Sequence, residues 1–74
     1  MNTMTGYNLR REVRTEHRIG SLVQYLHRPR YRQQILDHFA PLWDVSDDTV
    51  ATLIQAAMKA GKVRYEKGFY EAVR

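Results

Sequence analysis

Apolar residues recur along this chain with two different periods. Ile19, Leu22, Val23 and Leu26 are spaced i, i+3, i+4, i+7, which is one face of a helix and predicts a first helix from about His17 to His27. Pro29 ends it, because proline disfavours helical geometry at the residue before it. The same Pro29 suits the first turn of a second helix, where its missing N–H is no loss. That helix is predicted from about Pro29 to Ala40, with Tyr31, Ile35, Leu36 and Phe39 as its buried face. Pro41 stops or kinks it. Leu42, Trp43, Asp44 and Val45 then form a connector whose large apolar side chains pack inward. The third helix begins after Ser46, a good N-cap whose hydroxyl can accept from a free backbone N–H. Asp47 and Asp48 follow where negative charge complements the helix dipole. Val50, Leu53, Ile54, Ala57 and Met58 form its buried stripe, and Gly61 falls where a left-handed residue closes a helix.

From Lys62 the period becomes two. Val63 and Tyr65 alternate with Arg64 and Glu66, and after Lys67-Gly68 the chain reads Phe69, Tyr70, Glu71, Ala72, Val73. A two-residue turn at Lys67-Gly68 sets Tyr65 opposite Tyr70, Val63 opposite Ala72, and Arg64 opposite Glu71 as a cross-strand ion pair. Lysine is not the usual partner of glycine in such a turn, so a bulged three-residue loop is the alternative. Phe39, Trp43, Tyr65 and Tyr70 read as core, and Phe69 as an exposed partner contact. The fold class expected is mainly α with a small β-hairpin, a three-helix core followed by a wing.

Upstream of the first stripe the pattern fades. Residues 1–8 are polar and contain Gly6, and read as a flexible lead-in. Leu9 and Val13 do not continue the stripe, so a helix over residues 9–18 packs weakly or folds on a partner. The expected organisation is a flexible basic arm over residues 1–16 and one domain over residues 17–74.

Length and charge then narrow the function. Seventy-four residues leave room for one small core. There is no cysteine, which excludes a disulfide scaffold and a thiolate metal centre. No apolar run approaches the roughly 20 residues of a membrane span, and residues 1–18 hold no signal-type apolar stretch, so a cytoplasmic location is expected. His17, His27 and His38 lack the i, i+4 spacing of paired metal ligands. Asp37 and His38 are adjacent, so on a helix they diverge by about 100° and cannot act as an orienter and base. With no phosphate loop and no nucleophile constellation, neither an enzyme nor a cofactor is expected. The net charge is +4, and it is unevenly placed: residues 1–32 carry seven arginines against two glutamates, whereas residues 33–74 carry five basic against six acidic side chains. That asymmetry favours a polyanionic partner.

The stretch Phe39-Ala40-Pro41-Leu42-Trp43-Asp44-Val45-Ser46-Asp47-Asp48-Thr49-Val50 resembles the helix-turn-helix signature of bacterial and phage repressors, at Phe39, Ala40, Trp43, Val45, Ser46, Thr49 and Val50. The run from Leu53 to Tyr65 is similar to a recognition helix passing into a wing. Together the resemblance covers Tyr31 to Val73 and implies a winged helix-turn-helix domain. It implies that the third helix meets base edges in the major groove, with Thr49, Thr52, Gln55 and Lys59 as groove contacts. Gln55 suits adenine and the threonines suit a thymine methyl. Arg64 and Lys67 on the wing, and Arg10, Arg11, Arg14 and Arg18 on the arm, are then phosphate or minor-groove contacts. The function expected is a small DNA-binding transcriptional regulator, dimeric on a two-fold operator. Three features depart from the signature. Asp44 replaces the turn's glycine, Pro41 follows the small Ala40, and Asp47 and Asp48 put carboxylates at the groove-facing end. They favour an alternative, a winged-helix protein-interaction module such as a phage-type inhibitor or assembly subunit, which docks a basic partner on Asp44, Asp47 and Asp48. RNA binding is a third reading, allowed by the arginines.

Overall fold

The computed structural model describes the backbone of residues 3–74 and the side chains of residues 13–74. Three helices precede an antiparallel hairpin: α1 (Thr3–Tyr25), α2 (Arg32–Trp43), α3 (Asp47–Lys59), β1 (Val63–Glu66) and β2 (Phe69–Ala72). This is a mainly α fold with a small β-hairpin, in an order compatible with a winged helix.

The core is where the periodic stripes meet. Ile19, Leu22 and Leu26 of the first segment, Ile35, Leu36 and Phe39 of α2, and Val50, Leu53, Ile54 and Ala57 of α3 are all buried. Val63, Tyr70 and Ala72 close the core from the hairpin side. Removing these apolar side chains from water is the main favourable term holding so short a chain together.

The end of α1 and the course of α2 differ from what the pattern predicts. The first helix starts at Thr3 rather than near His17, as one continuous element. Its upstream half has no apolar stripe to reveal it, and Val13 on that half is 57% exposed. The second helix starts at Arg32 rather than Pro29. Tyr31 is its N-cap, with extended backbone, and the Tyr31 N–H donates to the Gln34 side chain at 2.8 Å. Because Tyr31 lies outside the helix, its spacing to Ile35 does not carry it onto the buried face, and it is 55% exposed.

Pro41 does not stop the helix: α2 continues to Trp43. The proline sits near the C-terminus and is exposed, so only one intrahelical bond is forfeited. Asp44 then closes the helix in the left-handed region, φ 53°, and its N–H donates to Pro41 O while the Val45 N–H donates to Ala40 O. Aspartate thus fills the turn position usually held by glycine. Leu42 does not pack inward. It lies in the last turn at 64% exposure, and Trp43 takes the inward place, stacked on Phe39 with ring centres 4.4 Å apart.

Ser46 caps α3 as expected, its Oγ accepting from the Thr49 N–H at 3.3 Å. Gly61, φ 73°, follows the helix in the left-handed region. The hairpin register is Val63↔Ala72, Arg64↔Glu71 and Tyr65↔Tyr70. Lys67 and Gly68 have φ 54° and 87°, the paired positive values of a type I′ two-residue turn, so no bulge is needed. Tyr65 is not core: one pair back from the turn of the hairpin it is 54% exposed, its ring against that of its cross-strand partner Tyr70.

One connection joins segments far apart in sequence. Arg30 forms an antiparallel bridge with Tyr70, the Arg30 N–H donating to Tyr70 O at 2.9 Å and the Tyr70 N–H to Arg30 O at 2.8 Å. Pro29 therefore belongs to an extended link rather than to a helix, and this link lines the hairpin as a short third strand.

Candidate nucleic-acid interface

The third helix presents one face to the core and a polar row to the outside. Gln55 and Lys59 lie exposed on that row, with Thr52 one turn upstream. The two threonine hydroxyls are partly committed. Thr52 Oγ1 donates to Asp48 O at 2.9 Å, and Thr49 Oγ1 shares a 3.1 Å bond with Ser46 Oγ. Each keeps a methyl group for a thymine methyl and an oxygen lone pair that can accept from a base amine.

Helix α1 runs beside this row. Between them lies an open groove of about 370 Å³, lined by Arg14 and Arg18 of α1 and by Thr49, Thr52, Leu53 and Ala56 of α3. Leu53 and Ala56 supply an apolar floor, and the guanidinium groups supply positive charge at one wall. Arg18 is further held over the Trp43 ring, 5.3 Å from its centre, a cation–π contact that restricts the side chain. This arrangement unites four of the residues singled out in the sequence: Arg14, Arg18, Thr49 and Thr52. Arg10 and Arg11 also belong to α1, where Arg10, Arg14 and Arg18 follow i, i+4, i+8 spacing, but the side chains of Arg10 and Arg11 lie outside the described residues.

The wing contacts are separate from that groove. Arg64 is engaged within the hairpin: its Nη2 donates to Glu71 Oε1 at 2.9 Å, and Nη1 is 3.9 Å from Glu66 Oε2. The hydrogen bond to Glu71, then the charges of Glu71 and Glu66, raise its pKa above the ordinary value. Lys67, at the turn, is exposed and is the wing's available cation.

Among the described residues, Arg64 makes the only ion pairs, so Asp44, Asp47 and Asp48 are all exposed without a cation within 4.0 Å. Two further features escape sequence inspection. The first is the Arg18–Trp43 contact, made between residues 25 positions apart. The second is the approach of the Arg28–Arg32 link to the hairpin, created by the Arg30–Tyr70 bridge. The alternating composition Arg28-Pro29-Arg30-Tyr31-Arg32 is the one sequence signal that marks this link as extended.

No group of histidine, cysteine or carboxylate side chains among the described residues is arranged to hold a metal ion, and no described helix is long and apolar enough to cross a membrane. Neither a protein-family model, nor a curated protein, nor a solved structure matches the chain.

Proposed function

We propose that this chain is a small winged-helix protein that binds double-stranded DNA and acts as a transcriptional regulator of the bacterial or phage type. The observation that carries this reading is the groove in which Arg14 and Arg18 stand beside Thr49 and Thr52, continuous with the exposed Gln55 and Lys59. Helix α3 is about 20 Å long at 1.5 Å per residue, and a helix fits the major groove of B-DNA. With α3 in the groove, α1 lies over the flanking backbone and its arginines meet phosphates. The arginines then supply affinity without regard to sequence, and Gln55 supplies discrimination.

The test separates those two roles. Arg14→Ala combined with Arg18→Ala is expected to weaken all duplexes about equally and to reduce the salt dependence. Gln55→Ala is expected to leave random-duplex affinity nearly intact and to lower preference for a selected site by about 1–3 kcal/mol. Loss of neither affinity nor selectivity in these variants contradicts the assignment.

A second reading has one specific observation behind it. Leu42 is 64% exposed in the last turn of α2, two residues before the exposed Asp44, and the exposed Asp47 and Asp48 open α3 after the same turn. An exposed apolar side chain on a turn that carries three acids suits a basic protein surface. Under that reading Leu42→Ala abolishes partner capture and leaves DNA binding unchanged.

A further inference from the structure

The groove between α1 and α3 leaves the opposite, hairpin side of the molecule unused. There the extended link and the hairpin combine into one small sheet face. The Arg30–Tyr70 bridge sets the register, and alternation brings Pro29, Tyr31, Phe69, Glu71 and Glu66 to the outer side. Tyr31 and Phe69 stack there, ring centres 4.5 Å apart and planes 28° from parallel. Tyr31 remains 55% exposed. Beside the pair is an open cavity of about 210 Å³ lined by Pro29, Glu66, Lys67, Phe69 and Glu71.

The cavity itself is lined by Lys67 and by Glu66 and Glu71, both paired with Arg64, but the segments that build this face are rich in cations. Residues 28–32 and 62–74 together hold seven Lys and Arg against two Glu, whereas residues 33–61 hold one Lys against four Asp. Arg30 itself turns inward over the Tyr25 ring, 4.4 Å from its centre. Arg28 and Arg32 flank the link, and Lys67 flanks the cavity; all three are exposed and none has an ion-pair partner among the described residues. An exposed aromatic ring with cations beside it in the chain is what an unpaired base and its phosphates require, since the ring takes the base and the cations take the backbone. A duplex cannot use the rings, because its bases are already stacked on one another. A protein partner with basic character is repelled by the surrounding charge.

We infer that this sheet face is a single-stranded nucleic-acid site, in which a base stacks on the open side of Tyr31 while Arg28, Arg32 and Lys67 take up phosphates. Glu66, only loosely tied to Arg64 at 3.9 Å, is placed to accept from the exocyclic amine of a base in the cavity. The site is distinct from the α1–α3 groove and does not depend on the duplex-binding reading.

Fluorescence anisotropy with labelled twelve-nucleotide thymidine and cytidine oligomers, a blunt duplex of equal length and an abasic oligomer tests this on the full chain. The intact protein is expected to bind the single strands at 50 mM salt, with a log–log salt slope of roughly −2 for three phosphate contacts. The abasic oligomer is expected to bind at least tenfold more weakly. Tyr31→Ala should weaken single-strand binding about tenfold or more, Tyr31→Phe should restore it, and neither should alter the duplex titration. Tyr31→Ala leaves the cap of α2 intact, because Gln34 accepts from the backbone N–H. Phe69→Ala, checked by a thermal melt, provides a second variant. Equal binding of abasic and base-bearing oligomers, or an unchanged affinity in Tyr31→Ala, overturns the proposal. Loss of duplex binding alone, with single-strand binding kept, refutes the groove reading and leaves this one standing.

Discussion

Lys67 and Asp44 hold backbone angles that L side chains ordinarily avoid, φ 54° and 53°. Each sits at a turn that the fold cannot omit: Lys67 reverses the hairpin, and Asp44 ends α2 so that α3 can cross it. Asp44 is chemically suited to the left-handed region because its short polar side chain can bond locally, whereas lysine has no such help. Replacing Lys67 by Asn, the preferred partner of glycine in a type I′ turn, is therefore expected to stabilise the protein by up to about 1 kcal/mol. Urea unfolding monitored by circular dichroism measures this, and a lowered midpoint contradicts the turn assignment. The same scale explains three errors in reading residue type as burial. Tyr31, Leu42 and Tyr65 are large and apolar in character, yet all three are more than half exposed. Tyr31 is a cap, Leu42 lies in a last turn, and Tyr65 is one pair back from the hairpin turn. Their places at or near element ends, rather than their chemistry, decide their exposure.

Among the elements, α3 is the one most fully written in the sequence. Ser46 caps it, Asp47 and Asp48 complement its positive end, the Val50–Leu53–Ile54–Ala57 stripe is buried, and Gly61 closes it. Local signals and tertiary packing agree there, so the boundaries could be read directly. Ser46→Ala is expected to cost about 1 kcal/mol, the usual worth of such a cap, seen as a lower thermal midpoint with an unchanged fold. No loss of stability means that the 3.3 Å contact to the Thr49 N–H contributes nothing. The hairpin was equally legible, because strand register follows from period two and a two-residue turn. The upstream half of α1 was not, because no apolar stripe marks it. The Arg30–Tyr70 bridge was also invisible, since it pairs residues 40 positions apart and leaves no periodic trace.

For the whole molecule, what matters is where the fold gathers charge. Counted along the chain, the basic residues divide into an N-terminal half and a neutral remainder. Folded, they fall beside α3, through Arg14 and Arg18, and around the sheet, through the Arg28–Arg32 link and the hairpin. Three of the eight acids, Asp44, Asp47 and Asp48, fall at the turn between α2 and α3. The candidate groove was thus half legible: residue types were readable, but the meeting of Arg14 and Arg18 with Thr49 and Thr52 depends on how α1 crosses α3. The proposed role of this groove is to bind a DNA duplex through its phosphates. It is tested most directly by anisotropy titration of a labelled random duplex across 50 to 200 mM salt. With four to six phosphates neutralised, the log–log slope is expected at roughly −4 to −5, and it should become shallower by about 2 in the Arg14→Ala, Arg18→Ala double variant. No binding at 50 mM salt, or the same slope in the double variant, contradicts it.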